Sequence, residues 1–215
     1  MASSPKELID IASFKQIARL KIEPIVGNFD AEHLRKIHAY FFQDAPKWDR
    51  SFIPGGYRLP DDRHAKNRKL AGMNKRTNKK YEPYKVIYSN ASDIEGELNN
   101  ILKRSGGVNA FRGLDVDQFA ERMTALYVEL DYLHPFNEGN SRALRFFTAQ
   151  FAHEAGYRLD WDIGIENPDA ENALYVARDQ AIMNRKYPNG VGLPVTIRQA
   201  LYRDHENTLS LKDII

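Results

Sequence analysis

The chain has 215 residues, 42% of them apolar, and a formal net charge of only +2, which suits one domain with its own hydrophobic core. It has no cysteine, so disulfides and cysteine-ligated zinc are excluded, and no apolar run approaches the roughly 18 residues of a membrane span. Met1 to Asp10 lacks the basic and apolar stretches of a signal peptide, so the expected compartment is the cytoplasm, with no membrane partner.

The charge is unevenly spread. Arg50 to Lys80 carries ten Lys and Arg against Asp61 and Asp62, a net +8, which leaves −6 over the remainder. This basic insert, over about residues 45–83, reads first as solvated surface, with nucleic-acid contact as the lesser reading.

In chain order, Asp30 is placed to cap a helix over 31–43, where Leu34, Ile37, His38 and Phe41 share a face. Pro46 follows its end. Residues 44–83 are rich in Gly, Pro, Asn and Lys and read as irregular. Tyr84, Val86 and Tyr88 then alternate with Lys85, Ile87 and Ser89, a strand signal. Ser92 is a plausible cap for a helix carrying Ile94, Leu98 and Ile101, ended by Gly106-Gly107. Asp115 caps a longer helix with Phe119, Met123, Leu126 and Leu130 as its buried stripe. That helix stops near Leu133, because Pro135 disfavours helical geometry at His134. Further helices are expected over 140–156, 170–184 and 196–205. The fold class is all-α with one small β element.

The segment from His134 to Arg145, HPFNEGNSRALR, carries chemistry. Gly139 gives a tight loop its backbone freedom, and a helix opens directly after it. Loop amides and a helix N-terminus make an anion site. Arg142 and Arg145, three apart, are expected on one side of the first turn. There they oppose the helix dipole by about 0.3–1 kcal/mol each, which makes sense if a polyphosphate sits between them. Glu138 offers one carboxylate, enough for a nucleotide-bound Mg2+ that also uses phosphate oxygens. His134, just upstream, suits a general base.

The joint spacing resembles the signature of the Fic family, HPFx[DE]GN[GK]RxxR, at His134, Pro135, Phe136, Glu138, Gly139, Asn140, Arg142 and Arg145. Leu34 to Asp44 is similar to the family's helix before its flap, Tyr84 to Ser89 falls where the flap strand belongs, and Ala155 to Trp161 is similar to the segment after the signature helix in short Fic toxins. The resemblance spans about residues 25–203 and implies a single helical Fic domain with a β-hairpin flap. It implies His134 as base, Phe136 as core anchor of the loop and Glu138 as magnesium ligand. Gly139, Asn140 and Ser141 are the implied anion nest, and Arg142 and Arg145 the phosphate clamps. Ser141 departs from the usual Gly or Lys. In a left-handed conformation Ser would cost on the order of 1 kcal/mol; as a first helical residue it is tolerable.

The implied activity is transfer of AMP from ATP-Mg2+ to a Tyr, Ser or Thr hydroxyl of a target protein. The flap residues Tyr84, Val86, Ile87 and Tyr88 are expected to dock that target by strand addition, with packing of Val86 and Tyr88 on the core as the alternative. The family's inhibitory motif places Ser or Thr four residues before a Glu that precedes Gly or Asn. None of Glu95, Glu138, Glu166, Glu171 or Glu206 fits it. A separate small antitoxin carrying that motif is therefore expected, and the resemblance to short Fic toxins implies type II topoisomerase subunits as targets. The alternatives are an effector secreted into a host cell to modify small GTPases, a different nucleotide or phosphocholine donor, and a catalytically silent nucleotide-binding module.

Overall fold

The computed structural model describes residues 3–59, 65–69, 73–74, 79–80, 83–161 and 168–183. It opens with a helix that the sequence reading lacks, α1 (Pro5–Ile22). Its start is a capping box: Glu7 N donates to Ser4 Oγ at 3.3 Å and Ser4 N to Glu7 Oε2 at 2.7 Å, with Pro5 in the first turn. Its buried residues, Ser13, Gln16 and Leu20, are mostly polar, so no apolar stripe marks it.

Asp30 caps α2 (Ala31–Phe41) by accepting from His33 N at 2.8 Å. Leu34, Ile37, His38 and Phe41 are buried as one face, and the helix ends two residues short of the expected Gln43. The cap of α3 (Ile94–Arg104) is Asp93, which accepts from Gly96 N, and not Ser92. A carboxylate is the stronger acceptor at a helix's positive end. The longer helix, α4 (Val116–Leu133), begins at an Asp115–Gln118 capping box and stops where Pro135 requires. The following α5 (Asn140–Glu154) packs on both α2 and α4. Phe41, Phe119, Tyr127, Phe147 and Phe151 fill the space among these helices and are fully buried. Each such ring contributes roughly 1.5–3 kcal/mol by leaving water.

The expected irregular stretch 44–83 requires correction. It holds a 3-10 turn at Ala45–Lys47 and a strand, β1 (Ala65–Arg68). The short strands β2 (Met73–Asn74) and β3 (Lys79–Lys80) pair with each other. β1 runs antiparallel to β4 (Tyr84–Ile87), from Ala65 opposite Ile87 to Arg68 opposite Tyr84. Ala-Lys-Asn-Arg has neither alternation nor β-branched residues, so β propensity alone does not reveal β1. The last described helix, α6 (Pro168–Met183), packs against α4 and β4. The helix expected over 196–205 lies outside the described residues. Among the described residues no helix is long and apolar enough to cross a membrane.

Candidate functional site

The site is built on the turn that joins α4 to α5. His134 is the C-cap of α4 in a left-handed conformation, φ 50°, which costs a side-chain-bearing residue roughly 1–2 kcal/mol. Buried Arg58 holds it there. Its Nε donates to the His134 carbonyl at 2.9 Å, and its Nη2 donates to the Leu133 carbonyl at 3.1 Å and the Ser89 carbonyl at 2.5 Å. One guanidinium thus satisfies helix-end carbonyls and ties them to the chain after β4. The backbone of Arg58 also donates to the Pro135 carbonyl.

Within the turn, Asn140 accepts from Phe136 N at 2.9 Å through Oδ1, and its Nδ2 donates to the Phe136 carbonyl. The Asn140 side chain therefore braces the loop, and only its backbone amide is left for an anion. His38 of α2 stacks on Phe136 with ring centroids 3.8 Å apart. Its Nδ1 accepts from Gly55 N and its Nε2 donates to the Glu138 carbonyl, each at 3.0 Å. Burial pushes the His38 imidazole down to about 4, so it works as a neutral brace. Gly139 is required twice over: its φ is +78°, and a Cβ would collide with the Phe42 ring.

The N-terminus of α5 differs from its neighbours. Helices α1, α2, α3 and α4 each carry a side-chain cap, whereas α5, with Gly139 at its N-cap, has none. Its first amides, those of Asn140, Ser141 and Arg142, have no intrahelical acceptor, the arrangement by which a helix start can receive an anion. Ser141 is helical, so no left-handed penalty arises. Its Oγ lies 3.3 Å from Nη1 of Arg178, which donates to it; the Ser141 hydroxyl proton can then point elsewhere.

The two signature arginines do not lie together as expected. Arg142 leans toward α1, where Nη1 donates to Asp10 Oδ1 at 2.8 Å and Ser13 Oγ at 2.5 Å, and its guanidinium covers the Phe42 ring at 4.7 Å. Arg145 leans toward α6, 5.8 Å from the Tyr175 ring. Both side chains are long enough for the α1 and α6 partners to override a three-residue spacing. The Nε and Nη2 of Arg145 are buried without a hydrogen-bond partner, a costly state that an anionic ligand would relieve. Glu138 is exposed. Among the described residues no cluster of three or more potential metal ligands exists. A magnesium ion held here would have to take phosphate oxygens beside Glu138, which fits the single-carboxylate reading.

His134 itself is 3% exposed. Its Nδ1 lies 3.3 Å from the Asp131 carbonyl and 3.7 Å from Asp131 Oδ1. The Tyr88 ring stacks on it at 3.8 Å. Below it, Asp131 pairs with Arg178 of α6, with Nη2 at 2.6 Å and Nε at 3.1 Å. The guanidinium holds the Asp131 carboxyl well below the usual range against the opposing effect of burial. In the flap, Val86 and Tyr88 face the core, and Tyr84 donates to Asp179 Oδ2 at 2.7 Å. Arg68 of β1 grips the same carboxylate at 2.8 and 3.0 Å and also reaches the Tyr88 hydroxyl. Ile87, 63% exposed, is the outward apolar residue of β4. Side chains of Val86 and Tyr88 are thus committed to packing, and Ile87 is the apolar side chain that β4 leaves outside.

Sequence reasoning missed Arg58, Arg68, Asp131 and Arg178. The first two stand inside the basic insert and resemble its solvated charges. A usable signal lay in Asp131, an acid in an otherwise buried stripe one turn before His134.

A model of the Fic/DOC family matches residues 28–152. The chain is 37% identical over 138 residues to the protein adenylyltransferase VbhT of Bartonella schoenbuchensis, covering 64% of this chain and 24% of that protein. It is 40% identical over 73 residues to a probable protein adenylyltransferase Fic of Escherichia coli, covering 34% of this chain and 36% of that one. The matches thus span about a quarter and a little over a third of those two relatives. Among solved structures, the N-terminal Fic domain of a putative cell filamentation protein from Bartonella quintana, with bound ADP, superposes with a TM-score of 0.66 at 23% identity, covering 91% of this chain and 84% of that one. The N-terminal FIC domain of Bep8 from Bartonella sp. 1-1C gives a TM-score of 0.70 at 19% identity, covering 98% and 91%. At such identities the likeness is one of fold.

Proposed function

Because the chain belongs to the Fic/DOC family, we propose that it is a protein adenylyltransferase, moving AMP from ATP-Mg2+ to a Tyr, Ser or Thr hydroxyl of a target protein. The observation that carries this reading is the juxtaposition, across one six-residue turn, of His134 with the uncapped start of α5. Donation of Nδ1–H to the Asp131 carbonyl leaves the lone pair on Nε2. The acceptor hydroxyl loses its proton to Nε2 as its oxygen bonds the α-phosphorus. The bond from that phosphorus to the bridging oxygen breaks, and pyrophosphate departs with the electron pair. The α5 amides and the unpartnered donors of Arg145 receive the phosphate charge, and such pre-aimed donors supply most of the rate in phosphoryl-type transfers. Glu138 would hold Mg2+, which neutralises phosphate charge when bound. The relatives named protein adenylyltransferases, and the solved Fic domains with ADP and AMPPNP, support the same reading.

The finer proposal is a toxin acting on type II topoisomerase subunits in the cytoplasm, restrained by a separate antitoxin. The separate antitoxin is suggested by the lack of an inhibitory Ser/Thr-x3-Glu-Gly/Asn motif in this sequence, and the target by the resemblance of Ala155 to Trp161 to short Fic toxins. The test is incubation of the protein with ATP-Mg2+ and purified topoisomerase subunits, followed by mass spectrometry. One AMP on a single hydroxyl residue is expected. Modification of other lysate proteins but not these subunits would keep the chemistry and discard the target; no modification of any protein would discard both.

A further inference from the structure

The pair below the imidazole has an asymmetry that a purely structural ion pair does not need. Arg178 directs both Nε and Nη2 to one oxygen, Oδ2 of Asp131. The other oxygen, Oδ1, is buried, has no hydrogen-bond partner and lies 3.7 Å from His134 Nδ1. A side-by-side arrangement would satisfy both oxygens at once. As built, Nδ1 has two acceptors from the same residue within reach: the carbonyl at 3.3 Å and the idle carboxylate oxygen. A neutral imidazole is adequately served by the carbonyl. An imidazolium gains far more from a full negative charge.

We infer that Asp131, held by Arg178, is the positioning residue of the general base: its Oδ1 takes up the Nδ1–H of His134 once Nε2 has received the acceptor's proton. The inference rests on the proposed transfer reaction for its catalytic meaning, though not for its geometry. The balance is simple. The hydroxyl proton moves to Nε2; the Nδ1 proton stays on Nδ1 and turns from the carbonyl to Oδ1; Nε2 later returns its proton to solvent. Because Arg178 stands on α6 and Asp131 on α4, the strength of the base depends on the docking of α6.

The charged and titratable groups around His134 come from five parts of the chain. Asp131 lies beneath it on α4, and Arg178 behind that on α6. Tyr88, after β4, stacks on the ring and is pushed up by burial, so it stays neutral. Lys66 of β1 lies in the field of Asp131 and Glu138 and is lowered by burial. Arg58 donates to the His134 carbonyl.

The test titrates the His134 ring directly by NMR and, in parallel, measures transfer against pH. It uses the wild type, Asp131→Asn, and the Asp131→Asn/Arg178→Met double variant, in which no lone buried charge remains. The His134 midpoint should fall by about one pH unit or more in both variants, since the carboxylate favours the charged ring. The acid limb of kcat/KM should move down with it, kcat should drop about 10–100-fold, and nucleotide affinity should stay unchanged in Asp131→Asn, which keeps the Arg178–Ser141 contact. If Asp131→Asn fails to fold, the double variant decides. An unchanged His134 midpoint overturns the inference. So does a shifted midpoint with an unmoved rate profile in an active enzyme. A midpoint shifted in the variants, together with a wild type that binds nucleotide but transfers nothing, would uphold the coupling and sink the proposed reaction.

Discussion

The signature turn and the flap meet where Tyr88 stacks on His134 but are held differently. In the turn, Asn140 ties both polar groups of Phe136, His38 fixes the Glu138 carbonyl and Arg58 fixes the His134 carbonyl, each from a buried position. In the flap, two four-residue strands depend on one cluster, Asp179 with Arg68 and Tyr84, and on the Tyr88 stack, while Lys85 and Ile87 stay outside. The first arrangement pins the turn from three sides, as chemistry that depends on geometry requires. The second lets outward residues vary without disturbing the core, as suits the choice of a partner. Damage to the turn should therefore abolish transfer, and damage to the flap's outer face should only weaken it.

The sharpest break in that comparison is His134→Ala. Loss of a general base lowers transfer about 10²–10⁴-fold, whereas nucleotide affinity, read by calorimetry, is expected to stay within about twofold because His134 is not a phosphate ligand. Equal transfer at matched nucleotide occupancy would remove His134 from the chemistry. Next, Arg58→Met strips the donors from the Leu133 and His134 carbonyls. Leaving such groups buried and unpaired should cost about 2–3 kcal/mol in urea unfolding; a loss below about 0.5 kcal/mol would show that the turn holds its shape alone.

Arg145→Ala should weaken ATP binding about tenfold or more, the value of a hydrogen bond to a charged group. The nucleotide-free protein should gain up to about 1 kcal/mol, because the variant removes the buried, unpartnered donors of the Arg145 guanidinium. A variant that melts earlier and binds ATP normally would make Arg145 structural. The smallest effect is expected from Ile87→Ser, with stability within about 0.5 kcal/mol of wild type. Target modification should slow roughly threefold, on the order of 0.7 kcal/mol. Unchanged target kinetics would move docking away from β4.

How legible the molecule was follows from how local each bond is. The caps at Asp30 and Asp115 and the stop at His134 depend on residues within a few positions, and the sequence reading finds all three. The signature turn is legible for the same reason. The α1 helix was readable in principle through Ser4, Pro5 and Glu7, but its polar buried face hid it. By contrast, Arg58 meets His134 76 positions away, Arg68 meets Asp179 111 positions away and Arg178 meets Asp131 47 positions away. No local pattern separates such arginines from solvated ones. The same distance effect pulls Arg142 to Asp10 and away from Arg145.

The central claim, that this site transfers AMP, is tested most directly by the position of the label in ATP. The protein is incubated with target extract and ATP labelled at either the α- or the γ-phosphate, with His134→Ala as control. Covalent label in protein is expected from α-labelled ATP only, and at least about 100-fold less of it with the variant. Label carried into protein from the γ-position, or α-label incorporated equally by His134→Ala, would contradict it.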